Sequence, residues 1–335
     1  MELIINKNAV MKKIFAFLIL SVALVSCYKD YVQDFVRTAV YFPYSIDVRT
    51  VVVGEGLKVK IGAELGGVIE NKTDRNVNFI LDNSLITPSL LASMNASTSA
   101  WIKNPSSSVT ALLPLPPTYY TLSNSSKIVI NAGQHVGTVT IKVDSALFLA
   151  DAATLNSTYI VPFYITTADA DTILQPQRSL TVGIRYDNML FGNYLHGGVT
   201  TVKNASGTVI QTIPYYTSRS QSDSRIWTLK TVAPNAVVSN GYSNQTSTSK
   251  MEIKLTLDGT NITVSTGSST TNTYLADGAS TYNNPKLLQN RMIFLNYKYV
   301  VGDNTYYCQD TLTFRNRIRD GVNEWQDENP SHYTK

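Results

Sequence analysis

Beyond residue 37, apolar and polar positions alternate with a period of two almost everywhere. That spacing belongs to β-strands with one face buried and one wet. Residues 38–42, 57–61, 76–80, 127–130, 138–143, 159–165 and 180–186 each alternate or run β-branched, with Gly, Asn, Asp and Pro between them. Such a series predicts an immunoglobulin-like β-sandwich over 38–188. Residues 145–155 have room for a short helix, and 84–117, rich in Ser, Asn and Pro, reads as a long irregular insertion. A break falls near Asp187 and Asn188.

A second series follows at 194–203, 208–213, 226–232 and 251–257. In its last member Met251, Ile253, Leu255 and Leu257 face one way, and Glu252, Lys254 and Thr256 the other. Asp258-Gly259 is a hairpin turn leading into 261–265, and 291–301 pairs with 305–314 around Gly302-Asp303-Asn304. Consecutive hairpins favour an up-and-down antiparallel β-barrel over 189–335, because closure removes sheet edges. The whole chain is therefore expected to be all-β in two domains, with no internal repeat and no heptads.

The first 27 residues carry a different signal. Lys12 and Lys13 precede an apolar run over 14–25 that closes on Leu24-Val25-Ser26-Cys27. A positive segment, a short apolar segment and a small-residue cleavage site make a secretory signal. The run is too short to cross a bilayer, which takes roughly 20 residues. The cysteine after Leu-Val-Ser marks the lipoprotein kind, in which Cys27 becomes the acylated first residue, and Met11 is the expected start. The mature chain would hang from a membrane by its lipid, with 28–37 as tether.

Composition narrows the partners. Cleavage removes three lysines and one glutamate, a net +2, so the formal +4 falls to about +2. With no basic run, nucleic acid is not an expected partner. Cys308 is left alone, so no intramolecular disulfide is available, and its apolar-aromatic setting predicts a buried, inert thiol.

Residues 49–56, 65–71, 113–123, 137–144 and 159–166 resemble the N-terminal domain of a Bacteroidetes lipoprotein family of unknown function, over roughly 35–190. The segment from Phe191, closing on 314–325, looks like the lipocalin-like C-terminal domain that often follows. The resemblance implies an immunoglobulin-like sandwich on an outer-membrane, surface-exposed lipoprotein. It also implies a neighbourhood of Sus-like polysaccharide-utilisation transporters, sometimes with an appended glycosidase. One departure is that Tyr28-Lys29-Asp30 and Asp34 supply few of the acids that outward-facing members carry after the lipid cysteine.

No chemistry-bearing motif completes the picture. His135, His196 and His332 are scattered, which fits neither a metal site nor a cofactor. Nucleophile elbows and phosphate loops are missing, and His196-Gly197-Gly198 reads as a strand-end turn. A glycosidase needs two carboxylates facing across a sugar, and neither the acidic run of the chitinase-like enzymes nor a clear pair among Glu55, Glu64, Glu70, Glu252, Glu324 and Glu328 supplies them. Glycan binding needs only an aromatic platform and a few fixed polar groups. Trp101, Tyr215, Tyr216 and Trp227 are the candidate contacts, with the C-terminal barrel and its loops as the expected place, although Trp227 reads better as barrel filling and Tyr119 and Tyr120 as sandwich-edge packing. Arg315, Arg317, Arg319, Asp320, Glu324 and Asp327, around Trp325, suggest a structural ion-pair latch. Asp144-Ser145, Asp171-Thr172 and Asp310-Thr311 fit an Asp-Ser/Thr-apolar O-glycosylation pattern. The expected role is a non-catalytic, lipid-anchored glycan- or partner-binding component near a nutrient-uptake system. The alternatives are an adhesive surface lipoprotein and an uncharacterised glycoside hydrolase.

Overall fold

The computed structural model describes residues 37–216, 225–239, 252–268, 272–285 and 287–325. The lipoprotein signal with Cys27, nearly all of the tether, Met251, Asp327 and His332 lie outside the described residues. Strand makes up 54% of the structure and helix 14%.

The first eleven strands are β1 (Ala39–Tyr41), β2 (Ile46–Val52), β3 (Lys58–Gly66), β4 (Arg75–Leu81), β5 (Leu113–Pro114), β6 (Tyr120–Leu122), β7 (Lys127–Ile130), β8 (Val136–Val143), β9 (Tyr159–Ala168), β10 (Thr172–Ile173) and β11 (Ser179–Asp187). They form two facing sheets, β10-β1-β3-β8-β6 and β2-β11-β9-β4-β7, the latter with β5 on β9. The alternation in β3 shows why the layers close. Val59, Ile61, Ala63 and Leu65 are buried, while Lys58 and Lys60 stay in water. Their opposite layer supplies Phe79, Phe163 and Ile165, and Phe79 and Phe163 meet at 5.2 Å.

The expected irregular insertion is instead partly helical, with α1 (Pro88–Ala96) and α2 (Ala100–Ser106). Thr87 caps α1 by accepting the Leu90 N–H, and Pro88 occupies the first turn, where its missing N–H costs nothing. Leu90, Met94 and Ile102 press this helical pair onto Val48 and Ile160. A third helix, α3 (Ser145–Ala150), falls inside the expected 145–155 stretch, followed by a 3-10 turn at Ala152–Leu155.

The second series comprises β12 (Gly192–Lys203), β13 (Val209–Tyr215), β14 (Arg225–Ala233), β15 (Ala236–Ser239), β16 (Ile253–Asp258), β17 (Asn261–Thr266), β18 (Leu275–Ala276), β19 (Ser280–Tyr282), β20 (Met292–Val301), β21 (Asn304–Arg319) and β22 (Val322–Glu324). The order β12-β14-β15-β16-β17-β18-β20-β21 returns to β12 through a long β12–β21 ladder, so the sheet closes into an eight-stranded barrel. Both β13 and β14 pair with β12, at Gly198–Lys203 and Gly192–His196 in turn, like two halves of one strand. The Asp258-Gly259 turn joins β16 to β17 as the sequence suggested.

Eight strands leave an interior just wide enough for side chains to fill. Trp227, Tyr194, Tyr297, Tyr299 and Phe314 fill it, all 2% exposed or less. This is a packed core, with Trp227 in the filling role the sequence suggested. No described helix is long and apolar enough to cross a membrane.

Candidate functional site

Three features bring chemistry-bearing residues together: a polar cluster inside the barrel, a latch between the domains, and two concavities on the sandwich side.

In the barrel, every second residue of β12 and β21 points inward, and His196, opposite Leu312, is the diagonal neighbour of Asp310, opposite Gly198, across the seam that closes the sheet. His196 Nε2 donates to Asp310 Oδ2 at 2.8 Å, and Tyr297 donates to the same oxygen at 2.8 Å. Tyr215 donates to Asp310 Oδ1. Burial first, and then the Asp310 charge, drive the Tyr215 and Tyr297 hydroxyls far above the usual phenol range, so both remain donors. The His196 ring lies 4.3 Å from that of Trp227. Cys308 is buried as expected, with Thr200 beside it at 3.5 Å.

His196-Gly197-Gly198 therefore runs through the middle of β12 rather than a strand-end turn. Gly198 is needed there, at a φ of 140°, because a Cβ would sit 2.1 Å from the Gln309 carbonyl oxygen. Asp310-Thr311 likewise lies in the barrel wall with Asp310 2% exposed, which removes it as an exposed-turn glycosylation triplet. Asp310 thus gathers three donors, the buried His196 and Tyr297 and the partly buried Tyr215, and ties β12, β13, β20 and β21 together in the barrel wall.

The latch sits where β21 runs beyond the barrel. Arg317 donates to Glu55 Oε1 at 2.8 Å and Oε2 at 2.7 Å, and also to Glu324. Arg319 donates to Glu324 and to the Thr50 carbonyl at 3.2 Å. Burial opposes the Arg317 charge, but the hydrogen bonds and field of Glu55 and Glu324 overcome it and raise the guanidinium pKa. Glu55 reaches the barrel from a tight turn with Gly54 at φ 87°, Gly56 at φ 85° and Leu57 at φ 49°. Of the latch read from the sequence, Arg317, Arg319 and Glu324 form ion pairs, Asp327 lies outside the described residues, and Glu55, which the sequence did not single out, carries the contact across the domain boundary.

Asp320, at φ 52°, accepts the Thr50 N–H through Oδ2 at 3.2 Å, and its buried Oδ1 has no hydrogen-bond partner among the described residues. Burial pushes this carboxyl up to about 6, against the opposing pull of Thr50, Arg319 and Arg49. A folded-state value above the unfolded one means that its stabilising contribution is complete below about pH 4 and lost as pH rises through about 6. Asn adopts positive φ readily. Asp320→Asn is therefore expected to raise the melting temperature relative to wild type at pH 8 and to leave it unchanged at pH 4, read by calorimetry at both. An equal difference at the two pH values would contradict this.

The candidate ligand contacts separate. Trp227 is core, and Tyr215 turns inward to Asp310. Trp101 packs against Gly321 at the domain junction and donates Nε1 to Asp47 at 3.4 Å. Only Tyr216 stands in solvent, at 63% exposure. Sequence reasoning missed the two concavities. One is a groove of about 610 Å³ whose lining includes Gly54, Leu57, Tyr120, Lys142, Asp144 and Ser145. The other, about 270 Å³, lies at the junction between Arg49, Lys58, Lys60, Arg319, Asp320 and Glu324. Among the described residues no group of three or more His, Cys, Asp or Glu side chains could hold a metal ion.

Residues 34–172 match the model of an N-terminal domain family, described as "-like, N-terminal domain". No curated protein matches the chain. A solved protein of unknown function from Bacteroides ovatus is similar over 88% of this chain and 98% of its own, with 20% identity and a TM-score of 0.62. A second from the same organism, also of unknown function, covers 86% and 99% with 13% identity and a TM-score of 0.43. The first of these likenesses shows a shared fold.

Proposed function

We propose that this chain is a lipid-anchored envelope protein that binds a glycan or a protein partner on its outer surface without catalysing a reaction. The observation that carries the surface-binding half is the filled barrel. With Trp227, Tyr297 and Phe314 occupying its centre, recognition falls to the outside, where both concavities border the sandwich. The latch supports the same reading, since a fixed angle between domains presents one constant surface to a partner. The anchor half rests on Leu24-Val25-Ser26-Cys27, ten residues ahead of the first described residue. A place beside Sus-like transporters on the cell surface follows from the family resemblance.

Metabolic labelling with a radioactive fatty acid tests the anchor. The wild-type protein is expected to take up label and partition with membranes, and Cys27→Ala to remain unlabelled and fail to mature. An unlabelled, freely soluble wild-type protein would refute the anchor.

A further inference from the structure

The two ends of the sandwich differ in what they hold. At one end Glu55 receives Arg317, and Asp187, the last residue of β11, accepts from Thr231 of the barrel. The chain enters at the other end. There Ala39 opens β1 opposite Gly66, the last residue of β3, and Val136 opens β8 opposite Glu64. Between the two ends β3 runs nine residues, a span of about 26 Å. Cys27 lies ten residues ahead of Arg37, and ten residues reach at most about 36 Å. A lipid on Cys27 is therefore tied to the entry end, with the barrel beyond the far end of the sandwich.

The entry end is built as a closed cap. Asn71, 1% exposed, donates to the Asn131 and Gln134 carbonyls at 3.0 Å each and accepts from Arg75 Nε, which staples the 67–74 loop to the 131–135 turn. The same loop touches the end of the tether, since a Cβ on Gly67 would sit 2.3 Å from the Arg37 carbonyl oxygen. Asp74, Asp169 and Asp171 each accept a backbone N–H, from Ala132, Asn76 and Thr38 in turn. Arg37, Lys72 and Arg75, set against these three acids and Glu70, leave the cap within one charge of neutral. On the stapled loop Ile69 stands 53% exposed. A rigid, nearly neutral surface with an exposed aliphatic side chain suits zwitterionic headgroups, whereas anionic lipid is recognised by clustered cations.

We propose that this cap rests on the lipid headgroups, with Ile69 entering the interface, and that the barrel and both concavities are held off the membrane. The proposal rests on the Cys27 anchor and adds to it which surface meets the lipid. Its competitor is a side-on pose that lays the exposed Lys58, Lys60 and Lys142 of the β3–β8 face on anionic lipid.

Fluorophores on introduced cysteines test it, using the full acylated chain in phosphatidylcholine vesicles that carry a nitroxide quencher on the headgroup. Gln134→Cys reports on the cap, Lys60→Cys on the side face and Asp303→Cys on the hairpin at the other end of β21; all three positions are exposed, and Cys308 is buried. Quenching is expected to be strong at Gln134→Cys and weak at the other two, and to persist in high salt and with added anionic lipid. Adding Ile69→Ser should reduce the Gln134→Cys quenching several-fold, while flotation with the vesicles and the melting temperature stay as in wild type. Quenching led by Lys60→Cys and lost in salt would establish the side-on pose instead. Quenching led by Asp303→Cys, no quenching at any position of floated protein, or indifference to Ile69→Ser would each overturn the proposal. Protein that fails to float defeats the anchor, and this surface with it, so flotation and quenching tell the two failures apart.

Discussion

Replacing Arg317 by alanine is expected to lower the unfolding free energy by about 3–5 kcal/mol, the range for breaking a buried ion pair by removing one partner. Arg317 is 0% exposed, and its two carboxylate partners come from different domains. Removing the guanidinium strands Glu324, 3% exposed, with only Arg319 beside it, and leaves Glu55 held against the barrel by a turn it cannot easily leave. The loss should appear first as uncoupling. Wild type is expected to unfold in one calorimetric transition, and the variant in two, as sandwich and barrel lose their tie. Removing only the Glu55 pair, as Glu55→Gln/Arg317→Met, should cost less than the single change, because Glu55 then carries no stranded charge and Glu324 keeps Arg319. A single-site loss below about 1 kcal/mol with one transition retained would show that the latch couples nothing.

Most of the architecture was legible because burial imposes its period on the sequence. The run of Lys58, Val59, Lys60 and Ile61 announces which side of β3 is wet, and Ile253, Leu255 and Leu257 announce the wall of a barrel. The helical pair was legible in part. Thr87 followed by Pro88 is a helix start, and Leu90 with Met94 is a one-turn repeat, but two apolar positions in a Ser- and Asn-rich stretch give a faint stripe. What the sequence could not show was register. His196 and Asp310 are 114 residues apart, and only the β12–β21 ladder makes them neighbours. The same holds for Lys58 and Lys142, unremarkable alone and opposed only once β3 and β8 pair. Trp227 and Tyr215 were attractive as ligand contacts because aromatic character in a sequence does not reveal which way a strand faces.

The second large effect is expected at Asp310. Asp310→Ala should cost roughly 2–6 kcal/mol, since Tyr297 and His196 lose this acceptor in the core, at about 1–3 kcal/mol per buried unsatisfied donor, while the partly buried Tyr215 keeps Thr200. Asp310→Asn keeps the shape and one acceptor oxygen but sets an amide N–H₂ against a donor, so its loss should be smaller. Leu is the sharper comparison. It fills the space without answering the donors, and if packing alone held the barrel it would rescue Asp310→Ala. Because the donors remain, it is expected to recover little. Urea unfolding monitored by tryptophan fluorescence suits the test, since Trp227 lies against the His196 ring. Leu matching wild type would mean that the cluster is incidental to the barrel. The expected order of wild type, Asn, Leu and Ala would instead show that the carboxylate sets the β12–β21 register, because a one-residue slip would turn Asp310 outward and leave its buried donors unanswered.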